Sequence, residues 1–188
     1  MEQAPQGSKA FVYSLVLLWI IQKMAFLYLD QAKEGWRIGV MINLFFILAI
    51  AAHTLWFRFR KVAPSQTSLI DDFRVGLQRT GLYVMLIGGF ILLYYYVIDR
   101  DFLENQVQTL LAGERAKLDD YATFEEFARD QKIPHIESET EFLEQTETNI
   151  RTVYNPFLSA GGALIGMLMW AAFCAMSVTV LFRKVVFR

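Results

Sequence analysis

Apolar residues in this chain gather into four long runs, at 10–29, 38–57, 81–98 and 157–182, with polar stretches between them. Each run has about the 20 residues an α-helix needs to cross about 30 Å of hydrocarbon. The last two contain no charged residue. The pattern predicts an all-α membrane protein with four transmembrane helices arranged as two hairpins. The first run follows Lys9 and has the outline of a signal peptide. QKMAFLYLDQ stands where a small-x-small cleavage site would be needed, so the run reads as a mature span.

The polar stretches have patterns of their own. Residues 30–37, with Gly35, read as a tight turn between the first two spans. Before the third span, SLIDDFRVGLQRT places Asp71 three residues after Ser68, the spacing of a capping box. Leu69, Ile70, Phe73 and Leu77 then share one helical face. This predicts an amphipathic helix near 68–79 on the membrane surface, where Arg74 and Arg79 could meet anionic lipid. The plainer reading is an ordinary helical start with flanking charges.

Between the third and fourth spans, Leu103, Val107, Leu110 and Leu111 recur at helical spacing. Thr123 and Glu126 form a second capping box that opens FEEFARDQ. Pro134 is expected to break the chain. ESETEFLEQTETNIRTVYN then carries Phe142, Leu143, Ile150 and Val153 as a weaker amphipathic helix, and Pro156 separates it from the last span. The expected organisation is a three-span part at 1–98, a helical loop at 99–156, and a fourth span with a basic tail at 157–188.

Charge turns this pattern into a topology. The net charge of −1 over 188 residues hides an uneven distribution. Residues 58–80 hold Arg58, Arg60, Lys61, Arg74 and Arg79 against Asp71 and Asp72, and the tail holds Arg183, Lys184 and Arg188 with no acid. Residues 99–156 hold fourteen acids against six bases, a net of −8. Basic short loops stay cytoplasmic. Both termini and the 58–80 loop are therefore expected inside, with the acidic loop outside. Tyr94, Tyr95 and Tyr96 fit the outer headgroup level, where the ring sits in grease and the hydroxyl in water. The acidic loop is expected to be solvated surface. It has no EF-hand pattern.

Polar residues at depth are the best functional pointers in a membrane protein. Lys23 lies roughly 9 Å from the outer end of the first span at 1.5 Å per residue, and Asn43 has a comparable depth in the second. With Gln22 and the tyrosines Tyr94 and Tyr95 they are candidates for a polar pocket that holds a lipid phosphate on the ammonium. Alternatively Lys23 snorkels to the headgroups. In the fourth span Gly162 and Gly166 make a GxxxG, which favours close helix packing, with Gly88 and Gly89 of the third span as receivers. Packing inside the bundle is expected ahead of dimerisation. His53 reads as an interfacial hydrogen-bonding residue. Two histidines, His53 and His135, supply no metal-ligand set. The lone Cys174 lies inside a span, where burial keeps a thiol protonated. No phosphate loop, catalytic triad or nucleotide motif is present, so no enzyme activity, cofactor or nucleic-acid partner is expected.

DDFRVGLQRTG, then the exit YYYVIDRDFLEN, an acidic helical loop and a final span resemble a family of small four-span bacterial inner-membrane proteins known only as a domain of unknown function. The resemblance covers roughly residues 10–182. Its most specific element is the aromatic run followed by Ile98-Asp99 and Asp101-Phe102-Leu103. Arg100 stands where the family pattern commonly has proline. The resemblance implies fold and inner-membrane location, no catalytic residue, and company with membrane glycosyltransferases. Three readings follow: a non-enzymatic accessory subunit of a larger membrane complex, with a larger membrane-protein partner or as a homo-oligomer; a lipid-handling protein using the Lys23 pocket; and a small transporter or channel. The last is least supported, because no span is visibly broken and nothing polar lines the bundle centre.

Overall fold

A computed structural model describes residues 6–29, 31–133 and 135–187, and every regular element among them is helical. The α-helices are α1 (Gln6–Tyr28), α2 (Ala32–Phe59), α3 (Leu69–Leu93), α4 (Arg100–Asp119), α5 (Phe124–Asp130), α6 (Glu139–Val153) and α7 (Pro156–Leu181). A 3-10 turn at Pro64–Gln66 precedes α3, and π-helical turns at Tyr94–Ile98 and Phe182–Val186 prolong α3 and α7. Four stretches are long and apolar enough to cross a membrane: Lys9–Tyr28, Glu34–Phe59, Leu69–Ile98 and Phe157–Val186. The described residues are thus all-helical with four candidate spans, which fits a multi-pass membrane protein.

Contacts divide the chain into two units, Met1–Phe90 with Gly162–Arg188, and Ile91–Gly161. This differs from the expected 1–98, 99–156 and 157–188. The fourth span joins the first three, because α7 packs directly on α3. Leu164 fills the space beside Gly88, where an added Cβ would lie 2.5 Å from its Cδ1, and Ala175 lies beside Gly76 at 3.4 Å. Those pairs make α3 and α7 antiparallel.

Within the first unit α1 and α2 are also antiparallel. Phe26 lies against Gly35, and the Phe11 ring stacks on His53 at 4.1 Å. The turn between them is shorter than the 30–37 stretch predicts. Asp30 lies outside the described residues, but α2 begins at Ala32, so Gly35 is helical. It is glycine because Phe26 occupies its side-chain space. Trp170 of α7 donates its indole N–H to the Leu44 carbonyl of α2 at 3.0 Å, tying a third pair of helices together.

The segment 68–79 is the start of α3, unbroken. Ser68 caps it as the spacing predicts, accepting the Asp71 N–H at 3.0 Å and donating its hydroxyl to Asp71 at 2.6 Å. Arg74 is exposed as the amphipathic expectation has it, whereas Arg79 is buried. Asp72, Val75, Gly76 and Arg79 are buried, while Ile70 is 73% exposed. Next to lipid no water drives Ile70 inward, whereas charged and small residues gain by facing other helices.

The second unit has its own apolar centre. Phe102, Leu103, Val107 and Leu111 of α4 are buried with Phe127 of α5 and Ile136. Leu110, expected on that stripe, is exposed, as is Val153 of α6. Thr123 caps α5, accepting the Glu126 N–H at 3.3 Å, and Ser138 caps α6 in the same way at 3.2 Å. The break expected at Pro134 lies outside the described residues. α5 ends earlier, with Lys132 in the left-handed region at φ 56° and the Ile133 N–H donating to the Ala128 carbonyl at 3.0 Å. Pro156 opens α7, and Asn155 caps that helix by accepting the Phe157 N–H at 2.9 Å. Arg151 of α6 makes a fork to Glu104 of α4 at 2.7 and 3.0 Å, which holds the Glu104 carboxyl below its usual range.

Candidate functional site

Two buried polar groupings lie in the first unit. One contains the residues singled out from sequence. Lys23 of α1 and Asn43 of α2 are each only 5% exposed. Asn43 accepts a hydrogen bond from the Tyr83 hydroxyl of α3 at 2.6 Å. Trp19 donates its indole N–H to the Gly39 carbonyl at 3.1 Å, and the Gln22 amide reaches the Gly35 carbonyl at 3.4 Å. The pairing of Phe26 with Gly35 and of Phe11 with His53 places Lys23 level with about residues 38–41 of α2. The Gln22 Oε1 is buried without a hydrogen-bond partner.

The tyrosine serving Asn43 is Tyr83, which the sequence reading passed over. Tyr94 and Tyr95 belong to the second unit and are described with it. Both are buried; Tyr94 donates to Asp99 at 3.1 Å, and Tyr95 stacks on Phe102 at 5.5 Å. They sit in the π-helical turn, where a widened backbone turn re-aims side chains relative to an α-helix.

The second grouping was missed altogether. Asp72 of α3 is completely buried and takes Arg58 Nε of α2 on one carboxylate oxygen at 2.7 Å. Its other oxygen accepts the Thr67 hydroxyl at 2.9 Å and Arg183 Nη1 in a short contact. Arg183 also donates to the Pro64 carbonyl at 2.7 Å, the Thr67 carbonyl at 3.0 Å and the Thr67 hydroxyl at 3.2 Å. One carboxylate so joins α2, α3, the 3-10 turn and the π turn after α7. A signal was present in the buried stripe Asp72, Gly76, Arg79, Tyr83 and Ile87, at three- and four-residue spacing on α3. Arg183 had no such signal, because it follows α7 in a π turn.

The glycines divide. Gly88 is a packing position, though its partner is Leu164 and not a glycine. Gly89, Gly162 and Gly166 have nothing within 4 Å of an added Cβ. The expectation that Gly162 and Gly166 pack inside the bundle is therefore corrected. Ala160, Met167, Ala171, Cys174 and Ala175 form the inward face of α7 and leave the GxxxG on the outside. His53 is held by stacking on Phe11 and by Phe57 at 4.7 Å, and its buried Nδ1 makes no hydrogen bond. Among the described residues no three His, Cys, Asp or Glu side chains gather closely enough to share a metal ion.

A family model described as a protein of unknown function (DUF4199) matches residues 10–184, which takes in both groupings and most of every span. The chain belongs to the DUF4199 family. No curated protein and no solved structure matches it. In this DUF4199 chain the exit motif at 92–105 contains the π turn, with Asp99 as the acceptor for Tyr94. The matched region also includes Asp72 and Arg183.

Proposed function

We propose that this DUF4199 protein is a non-enzymatic accessory subunit of a larger complex in a bacterial inner membrane. The observation that carries the reading is the outward face of α7. Gly162, Ile165, Gly166, Met169 and Phe173 are exposed, and both glycines have open space beside them. Small residues at a bilayer surface let another helix backbone come close. The hydrogen bond from Tyr83 to Asn43 supports the same reading, since it employs a deep polar pair in holding the protein together. The protein is expected to migrate with a stoichiometric larger partner in mild detergent at native expression level. Gly166→Ile should reduce that co-purification while the protein stays folded. Migration as a single-component species would count against the subunit reading.

A second reading keeps the Lys23 region as a lipid-phosphate site at the outer leaflet, beside a membrane glycosyltransferase or alone. What favours it is the deep burial of Lys23 next to the unpartnered Gln22 Oε1. In the same purification, a bound lipid lost in Lys23→Leu, with no protein partner, would select this reading. A transporter or channel is not favoured by any contact in the bundle.

The proposed topology has two hairpins, both termini cytoplasmic, and the acidic loop at 99–156 periplasmic. Its support is the charge difference between the 58–80 segment and that loop. An impermeant thiol reagent added outside is expected to label a cysteine at Gln145 and spare one at Ser65. The inverse labelling would reverse the orientation.

A further inference from the structure

The Asp72 cluster holds more positive charge than it needs. One carboxylate faces two guanidiniums, whose side chains are only 9% and 21% exposed for Arg58 and Arg183. Arg183 spends both terminal nitrogens on Asp72, Thr67 and Pro64. Among the described residues Arg58 spends Nε on Asp72 and neither terminal nitrogen on anything. The nearest further acid on α3, Asp71, is exposed, bonded to Ser68, and within the field of Arg74 as well as Arg58. It does not cancel the excess.

Aromatic residues gather at the same end of α2, on another face of the helix. Trp56 and Phe59 of α2 meet Phe182 and Phe187 from the end of the chain, with ring centroids 5.3–6.5 Å apart. Arg60 lies over Trp56 at 5.8 Å. Arg60, Lys61, Arg74 and Lys184 are exposed around the same helix ends. A nearly buried guanidinium with an open pair of nitrogens suits two phosphate oxygens, because its planar fork matches them. Arg58 stands at the end of the candidate span Glu34–Phe59, the level at which a phospholipid headgroup would sit.

We propose that the terminal nitrogens of Arg58, backed by the Asp72–Arg183 pair, bind the phosphate of an anionic phospholipid. This site lies on the opposite ends of α1 and α2 from Lys23 and depends on neither reading above. The cluster then has a structural half, in which Asp72 ties Arg183 to Thr67 and Pro64, and a ligand half at Arg58. The ligand restores charge balance and seals the junction between the end of α2 and the end of the chain.

The experiment is native mass spectrometry of the full chain in mild detergent, titrated separately with phosphatidylglycerol, phosphatidylcholine and inorganic phosphate. The wild type should retain one phosphatidylglycerol in preference to phosphatidylcholine. Arg58→Gln removes the surplus cation and leaves Asp72 with Arg183 and Thr67, so it should fold and bind about tenfold or more weakly. Arg58→Lys keeps the charge beside Asp72 without the fork and should fall between the two. Thermal midpoints of the variants check folding. Equal retention of both lipids, or undiminished phosphatidylglycerol binding in Arg58→Gln, would overturn the site. Inorganic phosphate bound by the wild type and lost in Arg58→Gln, without any preference between the lipids, would overturn the lipid as source and leave a free phosphate ester in its place.

Discussion

Asp72→Asn is expected to cost about 3–5 kcal/mol of stability, the usual penalty for breaking a buried ion pair by removing one partner. The carboxylate is completely buried and is the common acceptor for Arg58, Thr67 and Arg183. An amide keeps the shape but leaves two low-exposure guanidiniums facing each other with no anion between them. The loss should exceed that of Arg58→Gln, where Asp72 keeps Arg183 and the hydroxyl of Thr67. Arg183→Gln should also fall short of Asp72→Asn, while freeing the segment after α7 from Pro64 and Thr67. Denaturant unfolding in detergent micelles, followed by tryptophan fluorescence, measures all three. A loss below about 1 kcal/mol for Asp72→Asn would mean that the cluster behaves as a solvated surface pair.

Gly35→Ala is expected to be the next most damaging change, at about 1–3 kcal/mol, the range for inserting a methyl group into a packed contact. The added Cβ would lie 2.5 Å from Phe26 Cβ and 2.8 Å from its Cγ. Those atoms sit at the root of the side chain, so no rotamer change moves Phe26 Cβ and the helices themselves must part. The register around it would loosen, including the hydrogen bonds from Gln22 to Gly35 and from Trp19 to Gly39. Gly88→Ala is the informative control. Its added Cβ meets the far end of Leu164, which can turn aside. Unfolding midpoints in the same micelles should therefore fall for Gly35→Ala and hold nearly steady for Gly88→Ala. Equal behaviour of the two would deny that the root-of-side-chain contact decides the cost.

The two clusters explain why a chain with so apolar a composition needs charged residues near its span ends. Lipid tails reward apolar surface on any helix face alike, so burial of leucines cannot select one helix arrangement over another. The pairs that discriminate are Tyr83 with Asn43, Trp170 with the Leu44 carbonyl, and Asp72 with its two arginines. Each has few alternative partners in hydrocarbon; two of them join α2 to α3 at different levels, and the others bring in α7 and the turn after it.

The sequence by itself determined the elements. The length of each apolar run and the near-absence of charge within it predict a helix, because a chain in hydrocarbon must satisfy its backbone internally. Capping boxes at Ser68 and Thr123 announced helix starts to the residue, since a side-chain oxygen three positions before a free N–H is local chemistry. Lys23 and Asn43 were legible as unusual because polar groups at that depth are costly wherever they point. Only the tertiary structure decided where the faces turned. Ile70 and Gly166 face outward, Asp72 faces inward, Asn43 takes Tyr83 as its partner, and Arg183 reaches back to Thr67 across 116 positions of sequence. Periodicity tells which residues share a face of one helix. In a membrane that face is chosen by close approach and by charge pairing between helices, and those depend on partners distant in the chain.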